Sequence, residues 1–406
     1  MKNLKPLFTL IIATSVSVSF AQQKLSTLDI VRLSVSRSSL VKAESFSLER
    51  VKGKERSLKS GFNPVLELGP GVGFTNGTSL LSQEFDLFGK RRSEADAAKA
   101  ETVVFENRVQ AVKSDVSAVA LNKVSEFLLA RDSLASAEEY LQSATAILKA
   151  VRKRIEIDEA PKIHETRAEV EVLRAEQLLA ESKAQFSSTS AEICSMLGLP
   201  SDSDLTITDW IVTNAFGSPK NQLVPTQRVA KAELEEAKSQ LLAARTLGKP
   251  TFSAGISSDF WSLDRPETRN RNVGLQFMLR APLGDRGENR FMVKAAESNV
   301  NHFEELLKET NRTAELERNL AWKSLEAAKK VCAMFETGIM PKTDQMLSAM
   351  RSGYEIGLVS LLEVLESQQT LQKLRRENAE ATHKRRIAEV RYLKATAYLP
   401  GLEVKN

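Results

Sequence analysis

Gly89-Lys90-Arg91-Arg92 and, 198 residues further on, Gly287-Glu288-Asn289-Arg290 each close a glycine-punctuated, strand-like hairpin and open a very long helical stretch. Each stretch then reverses at a short turn. Ile155-Glu156-Ile157-Asp158 is the first turn, and Tyr354-Glu355-Ile356-Gly357 follows 199 residues later. A constant internal offset sets the architecture before any local reading does. The chain is one unit written twice, a strand pair standing on a tall helical hairpin.

Glycine and proline draw the boundaries. Of 18 glycines, 11 fall within 61–89 and 248–287, and no proline occurs between Pro70 and Pro161 or between Pro282 and Pro341. The intervening stretches are rich in Ala, Glu, Lys, Leu and Arg, which form helix readily. The spacing predicts an unbroken helix from Lys90 to Ile157, about 100 Å long. Its repeat partner, 287–352, should kink near Gly338 and Pro341.

The return helix of the first repeat has the cleanest pattern. Ala168, Val172, Ala175, Leu179, Ser182, Phe186, Thr189, Ile193 and Met196 follow a 4-3-4-3 spacing, a coiled-coil seam with small residues alternating against large ones. The ascending helix carries two such runs, Phe105 to Val119 and Leu134 to Val151, out of step by one residue. The seam therefore drifts around the helix. A helix with neighbours on both sides, as in a barrel of helices, suits that drift better than a two-stranded rod.

The first hairpin spans 62–88, with Asn76-Gly77 as its turn signal. The second spans 250–284, and a polar loop from Trp261 to Asn270 separates its strands. Phe252, Ala254 and Ile256 alternate with Ser253, Gly255 and Ser257. Period two with one apolar face suits a strand of a membrane barrel. It suits equally a soluble hairpin packed on the helices. Four strands cannot close on themselves, and lipid does not tolerate open sheet edges. The sequence therefore predicts either a soluble protein or an obligate homo-oligomer. Phe260-Trp261 at one strand end and Phe85 and Phe88 at the other fit aromatic girdles.

Residues 1–21 read as an export signal: Lys2 and Lys5 lead, Leu7 to Phe20 is mostly apolar, and Ser19-Phe20-Ala21 fits a cleavage site. Removing those two lysines from 57 basic residues leaves 55 against 52 acidic ones, a formal charge of +3. Charges of both signs interleave along the helices, as on solvated faces. No basic stripe points to nucleic acid. No later segment has the ~18 consecutive apolar residues of a membrane-spanning helix. Cys194 and Cys332 stand at helical heights about 16 Å apart, too far for a disulfide and consistent with inert, buried thiols.

No catalytic or cofactor constellation is present. His164, His302 and His383 have no cysteine or carboxylate cluster beside them at metal-ligand spacing. Neither a phosphate loop nor a nucleophile elbow occurs. No enzyme activity, cofactor or resident metal is expected. An adaptor protein would carry one helical hairpin flanked by compact β-domains, and a structural coiled coil would not need strand hairpins.

Four segments carry a family likeness: Leu81-Ser-Gln-Glu-Phe-Asp-Leu-Phe-Gly-Lys-Arg-Arg92, Arg167-Ala-Glu-Val-Glu-Val-Leu-Arg-Ala-Glu176, Met196-Leu-Gly-Leu-Pro200 and Gly353-Tyr-Glu-Ile-Gly-Leu-Val-Ser-Leu-Leu-Glu-Val-Leu365. In this order, on a duplicated frame, they make the chain resemble the TolC-like outer-membrane efflux factors. The resemblance implies a mainly α fold with a small β part. Long α-helical hairpins would form an α-barrel, and four strands per protomer would contribute to a trimeric 12-stranded transmembrane β-barrel. Repeats would occupy 22–221, with its long hairpin at 90–197 and an equatorial segment at 198–221, and 222–406, with its long hairpin at 287–397. The implied setting is the outer membrane of a Gram-negative bacterium, with a periplasmic extension. The implied partners are sister copies in a homotrimer, outer-membrane lipid, a periplasmic adaptor (membrane fusion) protein and an inner-membrane pump of the RND type. Length, and the absence of a lipid-accepting cysteine after the signal, resemble the cobalt-zinc-cadmium branch.

The same resemblance implies that both helical turns dock the adaptor. The residues are Arg154, Ile155, Asp158, Glu159 and Pro161 in the first turn, and Gly353, Tyr354, Ile356, Gly357, Leu358 and Ser360 in the second. Two departures stand out: Asp158 occupies a usual glycine position, and His164 a usual acidic one whose counterpart is Glu363. The family also closes its pore with acidic residues. The matching position here is Ser348, and Asp344, one turn earlier on the same face, is the substitute candidate.

Overall fold

The computed structural model describes residues 23–69, 77–201, 203, 205–207, 210, 222–261, 273–281, 284, 287–397 and 399. The expected signal sequence 1–21, Asn76, the loop residues 262–270 and most of 198–221 lie outside them.

Two long helical hairpins dominate. The first is α3 (Lys90–Glu156), 67 residues without a glycine or proline, returning as α4 (Ile163–Leu197). The second ascends as α6 (Glu288–Met334) and α7 (Met340–Glu355) and returns as α8 (Leu361–Ala395). Gly89 (φ 72°) and Gly287 (φ 89°) open α3 and α6 in the same left-handed conformation, the one glycine adopts without strain. Shorter helices α1 (Thr27–Arg37), α2 (Ser39–Lys59) and α5 (Pro225–Ala244) lead into the two strand hairpins or pack around α3.

The expected kink between Gly338 and Pro341 is a π-helical turn, Phe335–Ile339. The amide of Met340 reaches back to the carbonyl of Phe335, and Pro341 has no amide to donate. One extra residue absorbs the lost bond.

Every position of the α4 seam from Ala168 to Met196 is buried or half-buried. The α3 seam holds from Leu134 to Val151 but fails at Val119, which is 54% exposed. Drift is the reason. Ser117, Ala118, Ala120 and Leu121 are buried instead, because α3 is covered here by α1, α2, α4, α5 and α8. Phe127, Ile193, Leu197 and Ile30 form the deepest apolar cluster at this level. A small parallel pair, β1 (Gln23–Leu25) with β4 (Leu205–Ile207), closes over it. Cys194 and Cys332 are free and buried, and burial raises both thiol pKa values.

The remaining strands, β2 (Val65–Gly69), β3 (Gly77–Phe85), β5 (Thr251–Trp261) and β6 (Val273–Arg280), form one antiparallel sheet in the order β2-β3-β5-β6. The two hairpins join through β3 and β5, from Ser79↔Ser258 to Phe85↔Phe252. Among the described residues β2 and β6 are edges with one partner each.

Candidate functional site

The two helical tips are built alike. In the first, the Glu159 amide bonds the Arg154 carbonyl (2.8 Å) and the Asp158 amide bonds that of Ile155 (3.1 Å). In the second, Leu358 bonds Gly353 (2.8 Å) and Gly357 bonds Tyr354 (3.1 Å). Both are Schellman closures, which require a left-handed residue just past the helix. Gly357 (φ 80°) and Asp158 (φ 59°) take that conformation, and aspartate tolerates it better than most residues. A Cβ on Gly353 would stand 2.5 Å from Val359 Cγ2, so glycine lets the chain double back tightly.

The return helices start differently. Ser360 caps α8 in a reciprocal box, its backbone amide donating to Glu363 Oε2 (2.8 Å) and its hydroxyl accepting from the Glu363 amide (3.3 Å). The Ser360 amide, and its hydroxyl as a donor to the same Oε2 (2.8 Å), hold the Glu363 carboxyl below its ordinary pKa. In the first repeat Pro161 and His164 occupy the matching positions, no side chain caps α4, and His164 Nδ1 is buried without a partner.

The tips meet through Arg154 and Tyr354. Tyr354 is only 3% exposed, packed with Ile147, Val151, Ala168 and Leu361, and burial raises its pKa. Asp158, Glu159, Pro161, Ile356, Gly357, Leu358 and Ser360 are exposed; Arg154, Ile155 and Gly353 are half-buried. Leu358 reaches 79% exposure, with Ile356, Ile157 and Ile163 also open. A docking partner would meet those apolar side chains, while Tyr354 lies beneath them.

Asp344 and Ser348 line one groove of about 760 Å³ between α3, α7 and α8. Arg375 spans it, bound to Glu139 on α3 and 3.4 Å from Asp344 on α7. Among the described residues Arg351 on α7 donates to the neutral Ser143 hydroxyl on α3 alone; burial, then repulsion from Arg375, lowers its pKa. Neither arginine was singled out by sequence. The repeat held one signal: Arg351 lies 199 residues after Arg152, which pairs with Glu165 and Glu169.

The sheet separates its chemistry by face. Leu66, Leu68, Leu81, Phe85, Phe252, Ile256, Leu275, Phe277 and Leu279 share one face by register. Most of these are exposed, Leu275 by 76%. The opposite face borders a recess of about 210 Å³ in which Val65, Leu80 and Met278 stand among Glu67, Ser82, Glu84, Ser253 and Gln276. A soluble hairpin would turn its apolar face inward. Here the apolar face points away from the recess, the arrangement of a strand between lipid and a polar lumen. Among the described residues no helix is long and apolar enough to cross a membrane.

The profile of the family described as outer membrane efflux protein matches residues 68–199 and 223–397. The chain belongs to that family. It is also 22% identical over 304 residues to the cobalt-zinc-cadmium resistance protein CzcC of Cupriavidus metallidurans, covering 72% of this chain and 70% of that one. In fold it is similar to CusC (TM-score 0.75, 17% identity, 93% of this chain and 95% of that one). It is similar too to the outer membrane protein VceC of Vibrio cholerae (TM-score 0.75, 15% identity, 91% and 95%). The protein is thus an outer-membrane efflux channel, the exit duct of a tripartite system, and its family and fold are those of channels rather than enzymes.

Proposed function

We propose that three copies assemble, their four-stranded sheets closing a 12-stranded barrel and their hairpins a periplasmic tunnel. The single observation that carries this is the sheet itself, with an exposed apolar face and two unpaired edges. Lipid excludes such edges, and only sister copies of the same sheet offer matching ones. Exposed Leu306, Leu316, Leu320, Val331 and Met334 along α6 give further apolar surface for a sister subunit.

In this reading the chain is two repeats, 22–221 and 222–406, behind a removable signal at 1–21. The exposed turns dock a periplasmic adaptor, and the pump behind it is of the RND type. Likeness to CzcC supports divalent metal cations as cargo. In this reading the channel conducts and the pump selects. Asp344, with Ser348 one turn on, lines the gate. The test is conductance of the purified protein in planar bilayers: discrete, long-lived steps support the duct, and a silent protein with normal helical content removes it.

A further inference from the structure

All four crossings between helices and strands lie at one end of the sheet, where Phe85 pairs with Phe252 and Thr251 with Arg280. Just beyond the lipid-type face, Leu87, Phe88, Leu247, Phe291 and Met292 are exposed. Among them stand Lys90, Arg92, Lys249 and Arg290. None of the four has a carboxylate within ion-pair distance among the described residues, whereas nearby Lys54 pairs with Glu101 and Arg245 with Glu297. Asp86 accepts the Arg92 backbone amide (2.9 Å), and Lys249 Nζ donates to the Phe88 carbonyl (3.2 Å).

Position gives this band its meaning. The nine residues of β3 span about 30 Å, enough for the apolar band of an outer-membrane barrel. Phe85, Phe252 and Phe277 form a row of neighbouring rings at its periplasmic end, the level of an interfacial aromatic belt. Arg92 and Arg290 follow within a few turns of chain, at the depth where long cationic side chains reach lipid phosphates. Exposed apolar side chains next in sequence to the sheet's strands, with cations among them that have no ion pair among the described residues, complement an anionic headgroup.

We infer that this band binds the phosphate headgroups of anionic phospholipids in the periplasm-facing leaflet, with Arg92, Lys249 and Arg290 as principal donors. The inference rests on the sheet's apolar face lying in lipid. The test is retention of dioctanoyl phosphatidylglycerol against dioctanoyl phosphatidylcholine by the full-length protein in neutral detergent, read by native mass spectrometry. The wild type should prefer the anionic lipid, and each single change to glutamine should weaken that preference about fivefold. R92Q/K249Q/R290Q should retain both lipids equally, while R92K/R290K keeps the preference and reports intact folding. Equal retention by the wild type, or an unchanged preference in the triple variant, overturns the assignment. Loss of lipid on adding inorganic phosphate assigns the band to soluble anions instead. A protein that leaves membranes without detergent overturns the lipid-facing sheet as well; one that stays embedded without lipid preference overturns the headgroup site alone.

Discussion

The Arg154 guanidinium lies over the Tyr354 ring, 4.9 Å from its centroid, and donates from Nη1 to the Tyr354 carbonyl at 2.8 Å. The turn of the first hairpin thereby holds down the turn of the second. A Cβ on Gly357 would meet Arg154 Nη2 at 3.4 Å, an ordinary contact, so the φ of 80° rather than crowding calls for glycine there.

Removing that cover should loosen the tip. A partly desolvated cation–π contact contributes about 1–2 kcal/mol, so Arg154→Ala should make spontaneous openings roughly tenfold more frequent in single-channel records. Arg154→Lys, with charge but no planar stack, should fall between. Wild-type opening frequency in the alanine variant would mean the contact does not restrain the tip.

The two left-handed turn residues make opposite predictions. Gly357→Ala forces a side chain into φ 80° and should cost about 1–2 kcal/mol, seen as a lower thermal midpoint. Asp158→Gly relieves its turn and should leave the midpoint unchanged or raise it. A drop for Asp158→Gly equal to that for Gly357→Ala would assign Asp158 a contact rather than a conformational role.

Asp344 is the gate candidate, its charge partly balanced by Arg375. Asp344→Ala should raise conductance in planar bilayers and weaken block by divalent cations. Ser348→Ala should leave the block intact. Currents identical to wild type in the aspartate variant would remove Asp344 from the pore.

The Ser360–Glu363 box ties the start of α8 to the charge of one carboxylate. The folded pKa of Glu363 is lowered, so its contribution is complete above the unfolded value of about 4.3 and disappears as pH falls through the folded one. Hydrogen exchange at the start of α8 should quicken on that acid side, ahead of the start of α4, where His164 replaces the glutamate. Glu363→Gln should abolish the difference. Equal acid sensitivity at both helix starts would contradict it.

Much of this architecture is legible in residue order, for physical reasons. A helix without glycine or proline over 67 residues has no local alternative, and a fixed offset between Asp158 and Gly357 marks both reversals. The hairpins were undecided because period two reveals that one face is apolar, not what that face meets. Register adds that Leu275 and Phe277 stand opposite Ile256 and Ala254 on a face that no described helix covers. The groove was not legible. Arg351 and Ser143 are 208 residues apart and Arg375 and Glu139 are 236 apart, and no local pattern encodes such meetings. The Val119 prediction failed because a heptad traced on one helix ignores how many neighbours surround it.

If β2 and β6 find partners only in sister copies within lipid, the protein has no stable existence as a free monomer. Native mass spectrometry of the protein extracted from outer membranes tests it most directly. The expected result is a particle of three chains that needs detergent to stay in solution. A single chain, folded and soluble in plain buffer, would contradict it.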